Sequence, residues 1–265
     1  MRRVIAALAI SFAIAACSSP DDASAQADGR ASDRASAQQS EQTPREREAI
    51  EEIVRSYLLE NPEVIEEALI ELQRRARDRE RSLQVQALGS QAARIYNDDR
   101  DPVIGAADAP VTIVEFFDYR CPYCVMTNDW VRTTLEEHGD QVRFVFKEFP
   151  INGAASTEAA RAALAVWRLQ PEAYGGFHDR VMSATGPLPS QRINELAASA
   201  GVDVDAMRVE MNSEEITAHL EDTRDLARNI GRVGTPFFIV DGMIVNGADM
   251  DGLDRVLETA LQRAG

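Results

Sequence analysis

Histidine and cysteine are scarce in this 265-residue chain, with three of each, and their scarcity removes whole classes of chemistry. A structural zinc site needs four ligands, usually Cys or His. His138, His178 and His219 stand isolated, and Cys121 and Cys124 form the one close cysteine pair, so no metal site is expected. Basic residues are also in short supply: 28 Lys and Arg face 44 Asp and Glu, a formal charge of −16. That balance disfavours nucleic acid and anionic lipid headgroups as partners. Long apolar runs are missing too. The run "VIAALAISFAIAA", directly after Arg2 and Arg3, has 13 residues, too short to span a bilayer but built like a secretory leader. The chain has no internal repeat.

Two readings of that leader compete. Ala13-Ile14-Ala15 fits an ordinary small-residue cleavage site, and "IAAC" at 14 to 17 resembles a bacterial lipobox. The lipobox is preferred, because ordinary cleavage leaves Cys17 as an odd exposed thiol in an oxidising compartment. Residues 1–17 are then a signal peptide with a lipobox, Cys17 is the lipidated residue, and the product is a membrane-anchored periplasmic lipoprotein. Residues 18–45 contain no large apolar side chain and suit a disordered tether.

From residue 46 the pattern turns helical. Ile50, Ile53, Val54, Tyr57 and Leu58 recur at helical spacing. Asn61-Pro62 stops that helix and starts another, with Asn61 as N-cap. Ile65, Leu69, Leu72, Ala76 and Leu83 then line one face. Arg74, Arg75, Arg77, Arg79 and Arg81 are interleaved with acids and read as a solvated surface. Residues 46–97 thus form a helical arm. Its apolar seam lacks a sheet to cover, so it packs back on its own domain or pairs with another copy.

Residues 98–265 form the main domain. "APVTIVEFFDY" at 109 to 119 suits a buried central strand. A helix from about 121 to 138 and a strand at 142 to 149 follow. A helical stretch runs from about 153 to 230, with Ser156 or Thr157 as its first cap. "TPFFIV" and "MIVNG" flank Asp241-Gly242, a strong hairpin signal, and an amphipathic helix closes the chain. The expected class is α/β: a thioredoxin-like fold with an inserted helical subdomain and an N-terminal helical extension.

The Cys-Pro-Tyr-Cys motif at 121–124, the Gly-Thr-Pro at 234–236 before the hairpin, and the helical insertion between them resemble the DsbA family of periplasmic thiol oxidoreductases. The stretch "IVRSYLLENPEVIEEAL" is similar to the N-terminal region of the suppressor-of-copper-sensitivity C proteins, a DsbA-like branch. The resemblance implies a cis-proline at Pro236 facing the dithiol, with the Thr235 main chain pairing with an extended substrate segment. It implies an oligomerising role for the arm. Thr before that proline looks more like the isomerase and copper-suppressor branches than the oxidase branch; Tyr123 is less telling.

The cysteine pair admits three readings: half a zinc site, a structural crosslink, or a redox dithiol. Zinc lacks ligands, and a crosslink closing so short a loop would constrain the unfolded chain little. The strand-to-helix junction in an exported chain favours redox chemistry. Cys121 would sit at the helix N-terminus, where unpaired N–H groups and the macrodipole stabilise a thiolate. Such settings lower a thiol from ~8.5 into the range of roughly 3.5–7.5, and each pKa unit makes the disulfide about 30 mV more oxidising. Cys124, one turn deeper, would be the resolving thiol. Glu115, six residues before Cys121, matches a buried acid that in the thioredoxin class moves the resolving thiol's proton; alternatively it pairs with Lys147. Pro122 and Tyr123 complete the substrate edge with Thr235 and Pro236. His178 is expected to be structural, and Trp167, Met182, Met207 and Met211 to be core.

The expected function is an exported thiol:disulfide oxidoreductase that forms or isomerises disulfides, with the Cys121–Cys124 disulfide as its redox centre and no other cofactor. Its partners would be unfolded or misoxidised exported proteins, a membrane thiol partner (DsbB-like or DsbD-like), and other copies of itself through residues 46–97. A glutaredoxin-like reductase shares the Cys-Pro-Tyr-Cys motif, although export and the long insertion count against it. An anchored chaperone or assembly module with an incidental dithiol is the alternative from another class.

Overall fold

The computed structural model describes residues 43–231 and 233–265. The expected signal peptide, Cys17 and the tether up to residue 42 lie outside the described residues. The described chain divides into two compact units, with the boundary between Ile70 and Glu71.

In the first unit, helix α1 (Pro44–Glu60) opens on a capping box: the Thr43 side chain accepts from the Glu46 N–H, and Glu46 accepts from the Thr43 N–H at 2.9 Å. The helix therefore starts two residues earlier than its apolar periodicity suggests. Asn61 caps the end of α1, not the start of the next helix: its backbone N–H and its amide Nδ2 both donate to the Tyr57 carbonyl, at 2.8 and 2.9 Å. The last-turn carbonyls of α1 lack intrahelical donors, and Asn61 supplies two. Helix α2 (Glu63–Ser90) follows. No residue from 43 to 70 is buried.

The second unit holds the rest of α2, the short helix α3 (Ala92–Tyr96), and a five-stranded sheet ordered β1-β3-β2-β4-β5. The strands are β1 (Val103–Gly105), β2 (Val111–Phe117), β3 (Val142–Glu148), β4 (Phe237–Val240) and β5 (Met243–Asn246). β2 and β3 run parallel, joined through helix α4 (Pro122–His138); the other pairings are antiparallel. The edge strand β1 has no counterpart in the sequence reading, because three residues are too few to show a period. The β4–β5 turn is Asp241-Gly242 with φ of 47° and 78°, the left-handed pair that a tight hairpin requires.

The insertion consists of α5 (Ala154–Leu169), α6 (Pro171–Met182), α7 (Ser190–Ser199), α8 (Val204–Glu210) and α9 (Glu214–Ile230), and α10 (Met250–Ala264) closes the chain. Neither Ser156 nor Thr157 caps α5, whose N-cap is Gly153. Ser156 instead turns inward and donates to Asp118 Oδ1 at 2.7 Å.

Strand alternation sorts the core into two layers. On one face Ile113, Phe117, Phe144, Phe146 and Phe238 meet the insertion helices, α10 and the two cysteines. On the other, Val114, Phe116, Val145, Phe237 and Ile239 meet Leu88, Ile95 and Ile230. Leu88 and Ile95 lie within the stretch that the sequence pattern assigns to the arm, yet they are buried parts of the second unit's core. Met182, Met207 and Met211 are buried in the first layer and Trp167 packs against it.

Candidate active site

β2 ends at Phe117, and the chain crosses Asp118, Tyr119 and Arg120 before helix α4 begins. Cys121 is the N-cap of α4 and Pro122 occupies its first turn, where a missing N–H costs nothing. The loop is tied by one buried carboxylate, which the sequence reading passed over. Asp118 Oδ1 accepts from the Arg120 N–H and the Ser156 hydroxyl, both at 2.7 Å, and Oδ2 from the N–H groups of Ile151 and Asn152 at 2.7 and 2.9 Å. Its carbonyl accepts the Cys121 N–H at 3.0 Å. Asp118 thereby binds the start of α4 to the β3–α5 loop. Its spacing to Cys121 was visible in sequence; its four donors, drawn from three chain segments, were not.

The structure brings most of the expected site residues together. Cys121 and Cys124 are free thiols. Cys121 is 6% exposed and Cys124 fully covered, so only the first sulfur borders the surface. Tyr123, 59% exposed, stands beside them with exposed Pro122. The pairing of Phe116 with Phe237 carries the segment before β4 past the end of β2. There the Thr235-Pro236 bond is cis, and the Cys121 thiol donates to the Thr235 carbonyl at 3.2 Å.

Glu115 lies on β2 with its side chain on the dithiol face, and its Oε1 has no hydrogen-bond partner. Burial, reinforced by the Cys121 charge, pushes its pKa up to about 8. Burial and then the Glu115 charge push the Cys124 thiol well above its ordinary value, while a hydrogen bond from the Asp118 backbone pulls the other way. Thiol and acid are therefore electrostatic neighbours. Lys147 is not the partner of Glu115: it projects from the opposite face of the sheet, where its ammonium donates to Asp101 and to the Arg94 carbonyl. The adjacent strand placed Lys147 near Glu115 in sequence terms, but alternation sends the two side chains to opposite sides.

Among the described residues, Asp98, Asp101 and His219 are the side chains of metal-ligand type that cluster. Their oxygens are already engaged, Asp101 by Lys147 and by His219 Nε2 at 2.9 Å, and Asp98 by Arg100 at 2.7 Å. The arrangement is a charge-balanced brace under β3.

A family profile described as "Thioredoxin" matches residues 97–259, more than half of the chain, and one described as "Copper resistance protein ScsC N-terminal domain" matches residues 46–79. The disulfide bond formation protein D of Bacillus subtilis is 28% identical over 172 residues, covering 61% of this chain and 77% of that protein. A linker-deletion mutant of Proteus mirabilis ScsC is 29% identical, covering 83% of this chain and 97% of the other with a TM-score of 0.63. The thiol-disulfide exchange protein alpha-DsbA2 of Wolbachia pipientis is 28% identical, covering 69% and 98%, with a TM-score of 0.63.

Proposed function

The chain belongs to the thioredoxin family and is a thiol-disulfide oxidoreductase of the DsbA and ScsC type, and from that premise we propose that Cys121 and Cys124 exchange disulfides with exported proteins. One observation carries this reading: Cys121, at the start of α4, donates to the Thr235 carbonyl while Cys124 lies covered one turn below. Backbone N–H groups of a first helical turn lack intrahelical acceptors and favour an anion beside them, which supports Cys121 as the attacking thiolate. In oxidation, a substrate thiolate attacks Cys121 Sγ of the disulfide. The new bond is substrate S–Cys121 Sγ, the Cys121–Cys124 bond breaks, and Cys124 leaves as a thiolate that takes a proton from Glu115. A second substrate thiolate then attacks the substrate sulfur of the mixed disulfide and expels Cys121. In isomerisation, reduced Cys121 attacks a wrong substrate disulfide instead.

Thr235, Pro236, Pro122 and Tyr123 are the proposed substrate edge, where main-chain pairing reads an extended segment without regard to its sequence. Unfolded or misoxidised exported proteins are the substrates, and a membrane thiol protein, DsbB-like or DsbD-like, resets the pair. Lipid on Cys17 anchors the chain in the periplasm. The exposed seam at the start of the 46–97 stretch holds copies together: Ile50, Ile53, Tyr57, Ile65 and Leu69 are exposed there, and a second copy of the same seam suits them chemically. Several dithiols held in one assembly favour isomerisation, since a substrate stays bound while its disulfides reshuffle.

Thiol trapping in cells tests the direction: a mostly oxidised pair marks an oxidase, a mostly reduced pair an isomerase. Cys121→Ser is expected to abolish both activities. If Cys121→Ser and Cys124→Ser together leave the cellular phenotype intact, the dithiol is incidental and the anchored-module reading replaces this one.

A further inference from the structure

Glu115 faces a difficulty as a proton donor. Once it protonates Cys124 it becomes a wholly buried carboxylate, and its Oε1 has no hydrogen-bond partner. An unpaired charge in such a place is costly. A second buried acid stands on the same face. Phe117 on β2 pairs with Glu148 on β3, and Glu115 lies two residues before Phe117, so the two glutamates are diagonal neighbours. Alternation puts both side chains on the same face of adjacent parallel strands, and the Glu115 charge acts on the Glu148 carboxyl, so the two acids are near neighbours in one buried layer.

Glu148 is equipped as Glu115 is not. Its Oε1 accepts the hydroxyls of Tyr119 at 3.2 Å and Tyr174 at 3.5 Å, while its Oε2 is buried and unpartnered. The Tyr119 oxygen lies 3.1 Å from His178 Nδ1. With the Tyr119 proton committed to Glu148, His178 must donate from Nδ1, giving one chain: His178 Nδ1–H to Tyr119 O–H to Glu148 Oε1. His178 Nε2 is then bare, in keeping with its lack of a partner and with burial that pushes its pKa down to about 3. The ring is packed by Phe117, Phe146 and Tyr174 and stays neutral.

We propose that Glu148 is the proton reserve behind Glu115: it passes its Oε2 proton to Glu115 as Cys124 leaves, and the resulting negative charge rests on Glu148 between the Tyr119 and Tyr174 hydroxyls. This rests on the roles given above to Cys121, Cys124 and Glu115. The step balances. The Cys124 thiolate gains the Glu115 proton, Glu115 regains one from Glu148, and one charge has moved from sulfur to a carboxylate with two hydrogen-bond donors. Reoxidation runs the same transfers backwards. Burial raises the Glu148 carboxyl above the ordinary carboxylate range, with the Tyr119 bond opposing and the Asp118 and Glu115 charges adding to the rise, which favours a proton on it before Cys124 leaves. The titratable groups facing it are Glu115 and Asp118 from β2 and its end, Tyr119 from the loop, and Tyr174 and His178 from α6. Lys147 is on the other face. Glu148 acts through Glu115 and is a positioning residue.

The test is a single turnover of the oxidised full chain with dithiothreitol, across neutral and alkaline pH, in H2O and in D2O. Glu148→Gln keeps the shape but has no proton to give. Its rate is expected to fall several-fold with a steeper alkaline decline and a larger solvent isotope effect, while alkylation of reduced Cys121 by iodoacetamide is unchanged. Tyr119→Phe combined with Tyr174→Phe, which removes the two donors, should shift the same profile in the same direction, and carries the test if Glu148→Gln does not fold. Wild-type profiles and isotope effects in these variants, beside a slow Glu115→Gln, would overturn the proposal and leave the Glu115 role standing. A Glu115→Gln variant as fast as wild type, beside an inactive Cys121→Ser, would remove the Glu115 role and the reserve with it.

Discussion

The two compact units use the same kinds of residue in opposite ways. In the second, Phe116, Ile113 and Val114 are wholly covered, and Phe116 meets Phe149 and Phe237 edge-on at 6.2 and 5.8 Å. In the first, Ile53, Tyr57 and Leu69 are exposed. Helix α1 takes its local support from the capping box at Thr43 and the two Asn61 bonds. A fold that must hold reacting groups in place needs its own core, because only close packing fixes rotamers. A segment with capped helices and an uncovered seam suits association instead.

Removing the first unit should break that comparison most sharply. Deletion of residues 18–70 is expected to abolish self-association, seen by sedimentation, while dithiol oxidation persists and isomerisation weakens. The cut belongs at 70 and not at 97, since Leu88 and Ile95 are part of the second core. If the full-length chain already sediments as a monomer, the arm has no role in assembly.

Single truncations probe the same contrast at smaller scale. Phe116→Ala should cost about 3–5 kcal/mol, as expected for a large buried aromatic, whereas Leu69→Ala should stay within about 0.5 kcal/mol in the body's unfolding. Equal costs in urea titrations would mean that the arm is packed as tightly as the body.

The buried acid of the second unit gives a gentler effect. The Glu115 carboxyl titrates near 4.5 in an unfolded chain and near 8 in the folded one. Between those values the unfolded chain binds fewer protons, so stability falls as pH rises, by up to ~1.4 kcal/mol per pH unit from this group. Glu115→Gln should flatten the decline and leave the variant relatively more stable on the alkaline side. Parallel stability–pH curves for the two proteins would show that this acid is not raised.

Much of the site was legible because its signals are local. Cys121 and Cys124 lie three apart at a strand-to-helix junction, and Asp241-Gly242 names its own turn. Helical periodicity found the insertion. The misreadings at Asn61 and Ser156 have one cause: side chains of this kind bond equally well to several backbone or carboxylate partners, and neighbouring sequence does not say which partner is near. β1 was missed because an edge strand of three residues has no pattern of its own and is defined by pairing with β3.

Sequence alone therefore determined the candidate cysteine pair, its placement at a helix start and the order of elements around it, since helix ends, turns and strand periods follow from residues a few positions apart. Tertiary structure decided which buried polar groups meet. Lys147 finds Asp101 across 46 positions, and Glu148 finds Tyr119 across 29. A buried polar group requires a partner, and packing, not proximity along the chain, supplies it. Glu115 and Glu148, alike in sequence as acids within strands, differ for that reason: Glu148 Oε1 accepts two phenol hydroxyls, whereas Glu115 Oε1 has no partner.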